Sequence, residues 1–221
     1  MMTNLFSNFD PSTSFYLSLN WISILIPFFI LTPSYWTIFS NFNILPQLIK
    51  TNIFKEYKIL SNKYYTNIYF FVSLIIFLML VNFMGLIPFI YTPTSQMSLS
   101  LSISLPLWIS IMIFNMMMHT NQLFTHLVPK NTPFPLMPLM VIIETTSNII
   151  RPLTLAIRIS ANMIAGHLLL TLIGSQFINS PIFAWMPIFI PQMLLTILEM
   201  SVSLIQAYVF ATLSILYSAE I

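Results

Sequence analysis

The chain has 221 residues, 57% of them hydrophobic and 5% charged, with a formal net charge of +2, whereas soluble proteins carry about 25% charged residues. Lys63 and Lys130 bracket 66 residues without a formal charge, and Arg158 and Glu199 bracket 40 more. So little charge cannot cover a water-exposed surface, which excludes a soluble enzyme, a secreted domain and a nucleic-acid binder and leaves an integral membrane protein. The absence of cysteine also excludes disulfides, zinc-thiolate sites and thiol chemistry. Usage rich in Ile, Phe, Asn and Met suits an AT-rich genome such as that of an organelle.

Residues 1–20 contain no Lys or Arg and include Asp10-Pro11, so they do not read as a cleaved targeting peptide. The first predicted span is 15–39, interrupted by Pro27 and Pro33 but long enough to cross a hydrocarbon core of about 30 Å. Segment 41–67 carries Lys50, Lys55, Lys58 and Lys63 against Glu56. In it Ile49, Ile53, Phe54, Tyr57 and Leu60 recur near helical spacing, which predicts an amphipathic helix on the membrane surface. Two further spans follow within 68–118, at 68–90 and 97–118, turned by Tyr91-Thr92-Pro93-Thr94. Residues 121–138, with Lys130 and prolines 129, 133, 135 and 138, read as a loop. Two apolar stretches remain, 139–173 and 182–217, separated by Asn179-Ser180-Pro181. Each would be about 50 Å long as a helix, so strong tilt or a hairpin near the membrane plane is expected.

The predicted fold is therefore an all-α integral membrane protein, one membrane domain over 1–221. About three upright or surface-linked spans precede a hairpin of two long, strongly tilted helices over 139–217. The positive-inside rule places the Lys-rich segment on the synthesis side and the N-terminus opposite. No internal repeat is visible, which argues against a transporter built of inverted halves. All seven alanines lie after residue 155. Small residues let membrane helices approach closely, so the last third is expected to pack tightly against other helices.

An ionisable residue in mid-membrane costs about 2.5–3.5 kcal/mol to insert and is a functional candidate by default. Glu144, Arg151 and Arg158 are spaced by seven, almost two turns, and share one stripe with Asn148 and Asn162. His167, nine after Arg158, faces the other way, at about 180°. The seven-residue spacing exceeds the i, i+3 and i, i+4 neighbours, so Glu144 and Arg151 are not expected to touch. Arg158 has no acid within reach on its own helix. A guanidinium keeps its proton, so it would sit among oily side chains as a fixed positive point that repels protons and attracts a carboxylate. In the last stretch Glu199, Ser203, Gln206 and Phe210 form a stripe, a wet or partner-facing side or polar glue between helices. His119 and His126 lack a third ligand at metal-binding spacing, so no metal site is expected.

The run from Leu153 to His167, with Arg158, Asn162, Gly166 and His167 in order, resembles the signature of subunit a of the F-type ATP synthases in its mitochondrial form. So do His126-Leu127-Val128-Pro129 with Thr132-Pro133, the segment from Glu144 to Pro152, and Glu199 with Gln206-Ala207-Tyr208-Val209-Phe210. The likeness covers the whole chain. The Asn8-Phe9-Asp10-Pro11 start and the Tyr217-Ser218-Ala219-Glu220 end look insect-like. Asn131 stands where many relatives have Gly, and Ile159 and Ser160 vary beside Arg158. His167 with Glu199 resembles the mitochondrial arrangement; bacterial relatives tend to carry acid and base the other way round, which suggests that the two side chains meet across two helices.

The resemblance implies a proton-conducting stator subunit beside a rotating proteolipid ring, in the mitochondrial inner membrane, not catalytic on its own. Arg158 would separate two half-channels and partner the ring carboxylate. His167 and Glu199 would relay protons on the intermembrane-space side, where the N-terminus also lies. Glu144 and Asn148 would line the matrix-side exit. Asn162 would hydrogen-bond near Arg158, Gln206 would approach it from the facing helix, and Ala161, Ala165 and Gly166 would let the ring come close. Implied partners are the ring, the peripheral stalk, the small subunit 8, protons and lipid, with no cofactor, metal or nucleic acid. Competing classes are an antiporter-like respiratory subunit or a solute carrier, which usually shows more spans or paired Lys–Glu sites, and a structural anchor, which leaves Arg158 and Glu199 unexplained.

Overall fold

The computed structural model describes residues 5–13, 18–30, 41–61, 65–118, 120, 128, 133–181, 183 and 185–219. Among these the chain is helical and contains no strand, as an apolar chain in lipid requires, because each helix satisfies its own backbone polar groups. Short 3-10 helices at Leu5–Phe9, Leu19–Leu25, Pro93–Ser95 and Phe134–Leu136 accompany six α-helices: α1 (Ile26–Ile30), α2 (Asn41–Leu60), α3 (Tyr65–Gly85), α4 (Met97–Met118), α5 (Met137–Asn179) and α6 (Trp185–Ala219). Four of them, α3 to α6, are long and apolar enough to cross a membrane. Parts of the predicted first span (15–17, 31–39), Lys63, His119, His126, Lys130 and Glu220 lie outside the described residues.

Helix ends follow local chemistry. Helix α3 stops at Gly85, where a side chain would bring its Cβ to 2.7 Å from Thr92 Cγ2, so the glycine admits the returning turn. That turn carries Phe89 in a left-handed conformation (φ 70°) and closes with the Ser95 and Gln96 amides donating to the carbonyls of Thr92 and Pro93. Helix α5 begins with Pro138 in its first turn, where a missing N–H costs nothing. It ends at Ser180, whose extended backbone (φ −95°, ψ 146°) is the conformation favoured before a proline, here Pro181. At 43 and 35 residues, α5 and α6 run about 65 and 52 Å. Prolines 46, 106, 152 and 191 lie inside helices that continue through them.

Helix α3 packs mainly against α6, α4 against α5, and α5 against α6. The core joins Phe71, Val72, Ile75 and Leu78 of α3 to Ala207, Phe210, Ala211 and Ile215 of α6, with Leu107 of α4 and Ile159 of α5. The small Ala207 and Ala211 bring α6 close to its neighbours, as does Ala156, while Ala161 and Ala165 stay on an open face of α5. The expected tight packing of the last third therefore holds for only part of its alanines within this chain.

The Lys-rich segment forms α2, but its apolar stripe divides. Tyr57 is fully buried, with Ile53 and Phe54 partly buried against the same core, whereas Ile49 and Leu60 are exposed. Burial raises the Tyr57 phenol above its ordinary range, with Tyr208 and Glu56 adding to the effect, so it stays neutral. Its hydroxyl has no hydrogen-bond partner among the described residues. Tyr57→Phe keeps the ring packing and removes an unsatisfied buried group, so the thermal midpoint of the solubilised protein should hold or rise. Tyr57→Ala should cost about 3–5 kcal/mol and lower that midpoint.

Candidate functional site

Glu199, Ser203 and Gln206 lie on the buried side of α6. This side faces the interior of the chain, toward α5. Opposite them α5 presents Asn162, Met163, Gly166 and His167, and with Val202 the two helices enclose a cavity of about 20 Å³. That is room for one water molecule. Gly166 decides how closely the helices approach: a Cβ there would lie 2.7 Å from Glu199 Oε1 and 2.9 Å from Cδ. The carboxyl group rests on bare backbone that only glycine leaves open.

Both Glu199 oxygens and His167 Nε2 are buried with no hydrogen-bond partner among the described residues. Three such atoms on one cavity carry a large desolvation cost unless water or a mobile proton satisfies them. His167 and Glu199 thus face the same small space from two helices without bonding each other directly. On its other side the His167 ring meets Phe9 edge-on, with ring centroids 6.5 Å apart at 83°.

Arg158 lies one turn before Asn162, and both are exposed on α5. The chain itself does not enclose the guanidinium: Arg158 projects from an open face that also carries Ala161 and Ala165. The reason is rotational, since inward positions of α5 such as Ala156, Ile159 and Ser160 are out of phase with Arg158 at 100° per residue. No carboxylate of the described residues lies within salt-bridge range of it. Gln206 is buried at the cavity and makes no hydrogen bond to Arg158.

At the start of α5, Arg151 Nη2 lies 3.9 Å from Glu144 Oε1. The expectation that this pair is too far apart fails. Helical side chains lean toward the N-terminus, so the long arginine reaches back over two turns toward Glu144. Its guanidinium also sits 4.9 Å from the centre of the Tyr217 ring, a cation–π contact that ties α5 to the end of α6. Tyr217 in turn meets Trp108 of α4 edge-on at 4.7 Å. Asn148 is partly buried on the same helix between these charges. Spacing alone gave no sign of Tyr217, Trp108 or Phe9 at these positions. No cluster of metal-ligating side chains occurs among the described residues.

The profile of the ATP synthase A chain family matches residues 18–219. The chain belongs to that family. It is 50% identical over 224 residues to ATP synthase subunit a of Locusta migratoria. It is 48% identical to the proteins of that name from Drosophila yakuba and Aedes aegypti, and each comparison spans 100% of both chains. Membership places this membrane chain in ATP synthesis and proton transport, and the four apolar helices fit that setting.

The two glycines of α5 should behave oppositely. Gly166→Ala pushes against a carboxylate at the end of a flexible side chain, so the protein should still fold while Glu199 is displaced. Proton pumping by the intact ATP synthase should fall with little change in assembly. A Cβ added at Gly174 would meet nothing within 4 Å, so Gly174→Ala should raise stability by about 0.5–1 kcal/mol and leave pumping unchanged.

Proposed function

We propose that this chain is the proton-conducting stator subunit of the ATP synthase membrane sector. It offers two offset half-channels and one essential arginine to a rotating ring of small proteolipid subunits, each with a membrane carboxylate. Arg158 carries this reading: it is a permanent cation on the open side of an apolar helix, without a carboxylate partner among the described residues. A charge in that position is costly unless it faces protein or water, and an acidic group on a neighbouring subunit meets the need. Ala161 and Ala165 on the same open face leave room for a second helix to approach.

Protons then have separate paths on either side of the arginine. His167 and Glu199, facing one small cavity, pass protons from the intermembrane-space side toward the ring. Glu144, with Asn148 nearby, receives them on the matrix side, and Arg151 orients Glu144. Arg158 makes direct passage between the two paths electrostatically unfavourable and favours the ionised form of the ring carboxylate as it passes. Asn162 and Gln206 supply hydrogen-bonding groups between the arginine and the relay. The attraction must stay short of a permanent buried pair, since breaking such a pair is costly and would stall rotation. The driving force is the membrane potential, about 2.3 kcal/mol per charge per 100 mV.

In this reading residues 15–39 form the first span, 41–67 lie on the matrix side, 68–118 supply two spans, and 139–217 face the ring. The membrane is the mitochondrial inner membrane, with the N-terminus toward the intermembrane space. The peripheral stalk and the small subunit 8 are the other stator partners. The chain holds no catalytic step of its own.

Arg158→Ala should abolish proton-driven ATP synthesis in membrane vesicles, and Arg158→Lys should not restore it, because a compact ammonium does not reproduce the planar fork. Normal synthesis by Arg158→Ala would overturn the assignment. In a double-mutant cycle of His167→Gln and Glu199→Gln, the losses in proton flux should fall well short of additive. Full additivity would show that the two do not share one path.

A further inference from the structure

The His167 ring is held from a place that the relay itself does not use. The 3-10 turn Leu5–Phe9 lies against α5, and the Phe9 ring meets the imidazole edge-on. This contact is not loose. The Phe9 carbonyl oxygen accepts two hydrogen bonds from the α3–α4 turn, from Gln96 Nε2 at 2.7 Å and from the Tyr91 hydroxyl at 3.2 Å. Gln96 Nε2 also donates to the Tyr91 oxygen at 3.0 Å, so the two donors brace each other. Burial holds the Tyr91 phenol above its ordinary range, with the Gln96 hydrogen bond opposing and Asp10 adding to it, and the phenol stays a donor. The segment is secured further along where Asn20 Nδ2 donates to the Asp10 carbonyl at 3.2 Å and the Trp21 ring stacks edge-on against Tyr91 at 6.2 Å.

Each element has a reason to be where it is. The Tyr91–Gln96 turn is placed by the close approach of Thr92 to Gly85, and Thr94 and Ser95 are buried in it. That turn fixes the Phe9 backbone, and Phe9 fixes one side of an imidazole whose Nε2 has no hydrogen-bond partner among the described residues. A histidine ring is normally oriented by a hydrogen bond to its second nitrogen. Here aromatic edge packing supplies the orientation from outside the cavity.

We propose that Phe9 is a positioning residue for His167. Latched by Gln96 and Tyr91, it holds the imidazole turned toward the cavity shared with Glu199. The inference rests on the relay reading given above and adds the turn that keeps the relay aligned.

Its test is a proton-flux cycle in the intact complex reconstituted into vesicles, with Phe9→Ala, His167→Gln and the double variant. Phe9→Ala should reduce flux at least severalfold, toward the roughly hundredfold scale of a transfer group displaced by about 1 Å. Phe9→Tyr should restore most of it, and Phe9→Ala should cause no further loss in the His167→Gln background. A purely structural role predicts the same loss in both backgrounds, and that result, or unchanged flux in Phe9→Ala, overturns the inference while leaving the relay intact. Unchanged flux in His167→Gln overturns the relay reading and this inference with it. Should Phe9→Ala fail to assemble, Gln96→Leu removes the stronger latch and is read in the same cycle with the same criteria.

Discussion

A guanidinium that keeps its proton stands on an apolar helix with no carboxylate of the described residues in salt-bridge range, and the arrangement of α5 is best understood from that constraint. The helix carries two arginines in different circumstances. Arg151 has the Glu144 carboxylate at 3.9 Å and the Tyr217 ring at 4.9 Å, so its charge is accounted for within the chain. Arg158, two turns on, has neither and faces outward. A carboxylate beside Arg158 in the same chain would neutralise it and, in the proposed reading, leave nothing for the ring carboxylate. The lone acid on this helix is spent on the other arginine.

The inward side of α5 solves a different problem. A carboxyl group on α6 has to come close to a histidine on α5 without closing the space between them. Gly166 lets Glu199 lie on backbone, and Glu199 and His167 both line a cavity of about 20 Å³, room for about one water. Ser203 and Gln206 continue the polar lining along α6. Arg158 and His167 therefore sit on opposite sides of one helix, the cation toward the outside and the imidazole toward the interior cavity. Helix α5 itself stands between a fixed charge and the proposed proton relay, and Asn162, exposed yet part of the cavity lining, lies between the two sides.

Much of this was legible in the residues. The scarcity of charge fixed the membrane setting, and Asn179-Ser180-Pro181 marked the corner between α5 and α6, because Ser180 must be extended before a proline. The angular separation of Arg158 from His167 followed from 100° per residue and agrees with their opposite surroundings. What failed had physical causes. Apolar periodicity in α2 could not say which residues meet protein, because lipid accepts Ile49 and Leu60 as readily as a core accepts Tyr57. Counting helix neighbours missed Glu144–Arg151, because the rule measures Cβ positions and ignores the reach and backward lean of arginine. The residues around Arg158 do not say which surface receives it, because in a membrane helix an apolar run describes lipid and partner as well as interior. The latch on Phe9 left no trace in spacing, since its hydrogen bonds join segments more than eighty residues apart.

In the proposed reading, the open face of α5 around Arg158 meets the acid-bearing ring. Because the chain has no cysteine, single cysteines report contacts cleanly. Ala161→Cys and Ala165→Cys, on the open face, should form disulfides with cysteines placed next to the carboxylate of the small ring subunits in the assembled complex. Ala156→Cys, buried within the chain, should not. Cross-linking from neither open-face position, with the complex assembled, would show that Arg158 faces something other than the ring and would contradict the account.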